Sequence, residues 1–92
     1  MAKTPKASAW VATAEVARAA GVSEVTIRRW AQRGVLPAYE VHHGGRRGHA
    51  AMWPAHAPQQ ARWVLEQLDA RRSWEDIVAA LQAGEFKVPA GT

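Results

Sequence analysis

Cysteine is absent from the 92-residue sequence, which excludes a disulfide framework and a thiolate-bound metal site. No apolar run approaches the roughly 20 residues that a helix needs to span a bilayer. The first ten residues carry two lysines without an apolar stretch behind them, so we do not expect a secretory signal peptide. These absences favour a cytoplasmic protein without a membrane partner.

Sequence signatures of enzymes are missing as well. There is no glycine-rich phosphate loop between a strand and a helix, and no nucleophile–histidine–acid set is apparent. The four histidines cluster between positions 42 and 56, in a stretch that lacks a suitably placed carboxylate to complete a metal site. We therefore expect no enzymatic activity, no metal and no cofactor.

Positive charge, in contrast, is concentrated in one third of the chain. Between Arg18 and His49 there are six arginines against two acidic residues, which gives the whole formal excess of +4. The remaining residues carry six basic and six acidic side chains and are neutral overall. A concentrated positive field indicates a polyanionic partner, and the alternative is a solvated basic face without a ligand.

The stretch "TAEVARAAG", residues 13–21, predicts a first helix. We expect Thr13 to cap its N-terminus and Gly21 to end it in the left-handed conformation. Its apolar positions have helical spacing. They are Val16, Ala17 and Ala20.

A second helix, "EVTIRRWAQR", is predicted to begin after a cap at Ser23 and to stop at Gly34. We expect Val25, Ile27 and Trp30 to form its buried face. Two short helices separated by Gly-Val-Ser are typical of a helix-turn-helix.

A β-hairpin is predicted to follow. The stretches "VLPAYEV" (residues 35–41) and "AAMW" (residues 50–53) suit two short strands, and the Gly44-Gly45 pair permits a turn between them. The connecting segment is long for a hairpin, so we expect a mobile tip that carries Arg46 and Arg47.

Two further helices are predicted in the second half, one over residues 58–70 and one from the cap Ser73 to Gly84. Phe86 is expected to pack back onto the domain. Trp63 and Trp74 either close the core or, if partly exposed, anchor a protein contact. The expected core positions of these helices are Ala61, Val64, Leu65, Leu68, Ile77, Val78 and Leu81.

The second helix carries the chemistry expected of a DNA reader. An α-helix fits the major groove of B-DNA, and its first turns reach the base edges. Arginine offers a planar fork of donors to guanine or phosphate, and a flexible cationic hairpin tip suits a phosphate backbone or a narrow minor groove.

The candidate DNA-contacting residues fall into three groups. In the recognition helix they are Ser23, Glu24, Thr26, Arg28, Arg29 and Arg33. In the first helix they are Thr13 and Arg18. In the wing they are His42, His43, Gly44, Gly45, Arg46, Arg47 and His49.

The sequence resembles the DNA-binding domain of MerR-type regulators over roughly residues 12–84. The resemblance rests on "EVARAAGVSEVTIRRWAQRGVLP", "GGRRGHAAMW" and "SWEDIVAAL". It implies a mainly α, winged helix-turn-helix fold of four helices with a two-stranded β-hairpin wing, and a bacterial, nucleoid-associated transcription regulator that binds double-stranded DNA. We expect a domain over residues 10–86 between a flexible arm (1–9) and a flexible tail (87–92).

Typical members continue into a dimerisation helix and an effector-sensing domain, and neither is found in this sequence. The chain is therefore expected to be a stand-alone small member or a fragment, without an evident small-molecule effector. Binding would then rely on self-association or cooperative binding on DNA. Two alternatives remain open: the DNA-recognition domain of a phage-type excisionase or terminase small subunit, and a protein-interaction module.

Overall fold

The computed structural model describes residues 10–43 and 49–87. Within these ranges the order of elements is β1 (Trp10–Ala12), α1 (Thr13–Ala20), α2 (Glu24–Gln32), β2 (Glu40–His43), β3 (His49–Pro54), α3 (Ala57–Asp69) and α4 (Trp74–Gln82). The mainly helical, winged helix-turn-helix architecture is confirmed. The expected arm and all of the expected tail except Lys87 lie outside the described residues.

Serine caps begin two of the helices, as the sequence predicts. The Thr26 backbone N–H donates to Ser23 Oγ over 3.1 Å at the start of α2, and the Asp76 N–H donates to Ser73 Oγ over 3.0 Å at the start of α4. Each bond satisfies one of the backbone donors that a helix start leaves without an intrahelical partner. These two starts are therefore set by local sequence.

The predicted cap at Thr13 is wrong. Helix α1 begins at Thr13 itself, with Ala12 at the capping position and no side-chain capping bond. The Thr13 hydroxyl instead accepts a hydrogen bond from Trp53 Nε1 over 2.8 Å. Because Thr13 is only 6% exposed, this bond satisfies an indole N–H that β3 brings into the interior.

The sheet has one strand more than the predicted hairpin. Its strand order within the described residues is β1-β3-β2, and both pairings are antiparallel. β1 lies just before α1, and its Val11 pairs with Trp53 of β3. The central strand is therefore flanked on both sides, and the hairpin is joined to the first helix through β1.

The segment 35–41, predicted to be a strand, contributes only its last two residues to β2. Val35 and Leu36 are buried in the core instead, at 0% and 6% exposure. The Val35 carbonyl accepts a hydrogen bond from Gln60 Nε2 of α3 over 2.9 Å. This anchor fixes the chain directly after α2, so the end of that helix cannot shift independently of α3.

One core joins all four described helices to the sheet. Several predicted core residues of α3 and α4 pack against it while half-buried, namely Leu65, Leu68, Val78 and Leu81. Phe86 packs against Trp63 with ring centroids 5.8 Å apart, as predicted. The fully buried large side chains are Val16, Ile27, Val35, Trp53, Val64 and Ile77.

Thr13→Val should destabilise the domain by about 1–3 kcal/mol, because the buried Trp53 N–H loses its acceptor. In a Trp53→Phe background the same change should cost close to nothing, since no N–H is left to satisfy. Urea denaturation of the four proteins of this cycle measures the coupling. Equal losses in both backgrounds would show that the hydrogen bond does not stabilise the fold.

Burial lowers the pKa of His56 below its ordinary value of 6.5. The unfolded chain therefore binds the proton more readily, and the free energy of unfolding should fall as the pH drops below about 6.5. A positive charge on His56, the capping residue of α3, also opposes the helix dipole. His56→Gln should lose less stability than the wild type between pH ~7.5 and pH ~5.5, measured by urea denaturation. If the free energies of unfolding of the wild type and of His56→Gln change by the same amount over this pH range, the prediction is wrong.

Candidate nucleic-acid interface

The turn between α1 and α2 is built by Gly21, which has a φ of +72°. Its N–H donates to the Ala17 carbonyl over 2.8 Å, and the Val22 N–H donates to the same carbonyl over 3.0 Å. An added Cβ at Gly21 would meet nothing within 4 Å, so the left-handed backbone and not a lack of space calls for glycine. The predicted end of α1 is confirmed.

The rotation of α2 about its axis is set by two buried side chains. Ile27 is 0% exposed and Trp30 is 5% exposed. Successive residues are rotated by about 100° around a helix, so the opposite face points to solvent. The exposed residues of that face are Glu24, Val25, Arg28, Arg29 and Gln32, and we call them the outer face of α2.

Val25 belongs to the outer face, and the prediction that it is buried is wrong. It is 53% exposed, because two helical steps place it about 200° from Ile27 around the axis. Sequence analysis also missed Gln32 as an outer-face residue. The angle of each residue relative to Ile27 and Trp30 is the signal that identifies both.

The two arginines of the outer face are exposed to solvent. Arg28 forms an ion pair with Glu24, at 3.9 Å between Nη2 and Oε1, and the two side chains are 48% and 50% exposed. An exposed pair of this spacing is worth only about 0.3–0.5 kcal/mol. The Arg28 guanidinium is therefore readily transferred to a stronger acceptor, and Arg29 lies beside it on the same surface.

Ser23 and Thr26, which the sequence places among the DNA contacts, form the cap of α2. In addition to the capping bond, their hydroxyl oxygens are 3.0 Å apart. Ser23 is exposed and Thr26 is half-buried. Their first role is thus to begin and hold the helix, and contact with DNA stays a prediction for both.

Arg33 is the C-terminal capping residue of α2 and lies just beyond the helix that the sequence predicts to include it. Its contact with α4 sets it apart from Arg28 and Arg29. Its guanidinium lies over the Trp74 ring, 4.6 Å from the centroid, and Trp74 also contacts Trp30 with centroids 6.2 Å apart. Beside this junction opens a cavity of about 370 Å³. The cavity is lined by Arg33, Trp74, Glu75, Val78, Ala79 and Gln82.

The two candidate residues of α1 differ in exposure. Thr13 is buried and its hydroxyl is bonded to Trp53, which corrects its inclusion among the residues that face DNA. Arg18 is exposed in the last turn of α1, and it stays a candidate.

The paired strands form the base of the wing. β2 and β3 are in register from Glu40 opposite Met52 to His43 opposite His49. His42, His43 and His49 are thereby placed in the strands by their backbones. The other candidate residues of the wing, Gly44, Gly45, Arg46 and Arg47, lie outside the described residues.

The tryptophans considered as protein-contact anchors are both half-buried. Trp63 packs on Phe86, and Trp74 packs between Trp30 and Arg33. Both close the core, as one of the two sequence interpretations expects.

Within residues 10–43 and 49–87, no group of three or more His, Cys, Asp or Glu side chains is arranged to hold a metal ion. Over the same ranges, no helix combines the length and the apolar character required to cross a membrane.

Residues 13–47 match a protein-family model described as MerR family regulatory protein. The matched range runs from the first residue of α1 through the turn, α2 and β2 to Arg47. No curated protein and no solved structure gives a significant match. The match falls on the segment whose turn, cap and exposed cationic helix face are described above. Over this segment the chain is therefore similar to MerR family regulatory proteins, and its described residues have a winged helix-turn-helix architecture.

Proposed function

We propose that this domain acts in a sequence-specific transcription regulator that binds double-stranded DNA, with α2 in the major groove. The observation that carries the proposal is the outer face of α2, which presents Arg28 and Arg29 to solvent opposite the buried Ile27 and Trp30. A helix with one face fixed in the core and two guanidinium groups on the other suits insertion into a groove.

Three anchors support rigid presentation of this helix. Ser23 caps its start, Ile27 and Trp30 fix its rotation, and the Gln60–Val35 hydrogen bond holds the chain that leaves it. A contact group held on a rigid element loses little conformational entropy on binding. We assign Arg28 and Arg29 to bases or phosphates, and we assign Arg33 to the α2–α4 junction.

The wing is proposed to contact the phosphate backbone or the minor groove beside α2. The support is the β2–β3 pairing together with the sequence of the connection, which holds Arg46 and Arg47 between glycines. Arginine is favoured in a narrow minor groove because the negative potential is strongest there. The three histidines of the strands are proposed as phosphate contacts.

A single module of this size buries only about 600–1,000 Å² on DNA. Useful affinity therefore calls for more than one copy, and we propose self-association or cooperative side-by-side binding on the duplex. We infer a non-enzymatic, cytoplasmic role at the nucleoid, without an assigned effector. In support, residues 13–47 match a family model described as MerR family regulatory protein.

Selection of duplexes from a random pool, followed by fluorescence anisotropy titration, tests the proposal. Wild-type protein should prefer the selected site, with an affinity that falls steeply as salt is raised. Arg28→Ala should reduce the discrimination between the selected and a random duplex by about 1–3 kcal/mol, the value of one bidentate base contact.

Arg62→Ala is the matched control, since Arg62 is an exposed arginine on α3. It should leave the discrimination unchanged. If Arg28→Ala weakens binding to both duplexes equally, Arg28 is a phosphate contact and not a base reader. If wild-type affinity does not depend on salt, the DNA-binding proposal fails.

In cells, bound sites scattered over promoters support regulation, whereas one site at an attachment or packaging sequence contradicts it.

Replacing Arg46 and Arg47 together by alanine should lower affinity for every duplex. Each phosphate contact contributes about 0.9 to the slope of log K against log salt, so the slope should flatten by up to about 2. Titrations at several salt concentrations measure it. An unchanged slope would show that Arg46 and Arg47 of the wing do not contact DNA phosphates.

A further inference from the structure

Val25 is an exposed aliphatic side chain on an otherwise polar and charged surface. The large hydrophobic residues that are exposed within residues 10–43 and 49–87 are Val25 at 53%, Tyr39 at 39% and Val41 at 50%. Of these three, Val25 alone lies on a helix. Its isopropyl group contributes little to the core, and valine is a poorer helix former than alanine, so the folded chain gains little from it.

The position of Val25 on α2 is central to the proposed contact surface. At about 100° per residue, Arg28 lies about 60° to one side of Val25 and Arg29 about 40° to the other. Both arginines follow it by one turn, at the spacing of helix-surface neighbours. Val25 is the second residue of α2, in the turn that reaches deepest into a major groove. A small apolar spot is thus placed between two guanidinium groups.

We propose that Val25 recognises the C5-methyl group of a pyrimidine, namely thymine, in the major groove. This inference rests on the proposed DNA-binding function. The thymine methyl is the one apolar group that the base pairs of unmodified DNA display there. The neighbouring arginines pair with guanine edges or phosphates and make no comparable contact. The Val25 methyls stand directly on Cβ and are stiff about χ1, so they fit one methyl at one base position.

Cytosine methylated at C5 displays the same methyl group as thymine. The two sources differ in the neighbouring group, which is a carbonyl in thymine and an amino group in cytosine. Affinities measured with thymine, uracil, cytosine and 5-methylcytosine in turn at one position therefore distinguish a thymine methyl from a methylated cytosine.

The experiment replaces each thymine of the selected duplex by uracil, one at a time, and measures Kd by anisotropy. With the wild type, one replacement should weaken binding by about fourfold, the value of one buried methyl group. With Val25→Ala, thymine and uracil at that position should bind equally. Alanine favours the helix, and a thermal melt checks that this variant is folded.

Val78→Ala is the matched control, because Val78 is also a valine on a helix but lies on α4, outside the proposed interface. It should keep the fourfold preference for thymine over uracil. If 5-methylcytosine at the sensitive position binds more tightly than thymine, the methyl contact stands and its source is a methylated cytosine.

The inference and the proposed function fail in different ways. A site-selective duplex complex in which no uracil replacement matters, or in which Val25→Ala keeps the thymine preference, overturns the role of Val25 and leaves DNA recognition in place. A wild-type protein that shows no salt-dependent binding to any duplex overturns the proposed function, and the role of Val25 with it.

Discussion

The burial of Ile27 and Trp30 in the shared core is the constraint on which the rest of the site depends. These two side chains are almost fully excluded from solvent, so α2 cannot rotate without exposing an indole and a branched aliphatic group. The left-handed Gly21 and the Ser23 cap set where the helix begins. With both its start and its rotation fixed, the residues of the outer face have defined directions in space.

Features encoded by neighbouring residues could be predicted from the sequence, and those made by distant residues could not. The cap at Ser23 and the stop at Gly21 each depend on partners within a few positions, and both were predicted. The Thr13 hydroxyl accepts a hydrogen bond from Trp53, which lies 40 residues away. Nothing near Thr13 in the sequence indicates that this bond replaces the expected helix cap. β1 is only three residues long, too short for an alternating pattern to show, and it forms by pairing with β3.

The positive charge of the candidate site could be predicted from the sequence, but the directions of its side chains could be predicted only in part. Arg28 and Arg29 are exposed on α2 as the composition indicates. The apolar character of Val25 favours a core position, although its angle from Ile27 places it on the other side of the helix. Arg33, at the end of α2, lies over Trp74 of α4. Because the two residues are far apart in the sequence, the residues around neither of them indicate this contact.

The Glu24–Arg28 ion pair would compete with the proposed contact between Arg28 and DNA. The carboxylate occupies Arg28 until a stronger acceptor displaces it, and the weakness of an exposed pair keeps that exchange easy. After displacement, the Glu24 carboxylate still stands in the first turn of the helix, where it repels phosphate and accepts hydrogen bonds only from donors such as the cytosine amino group. In the proposed complex, this carboxylate would disfavour positions of α2 in which a phosphate group faces Glu24, and so would add to selectivity.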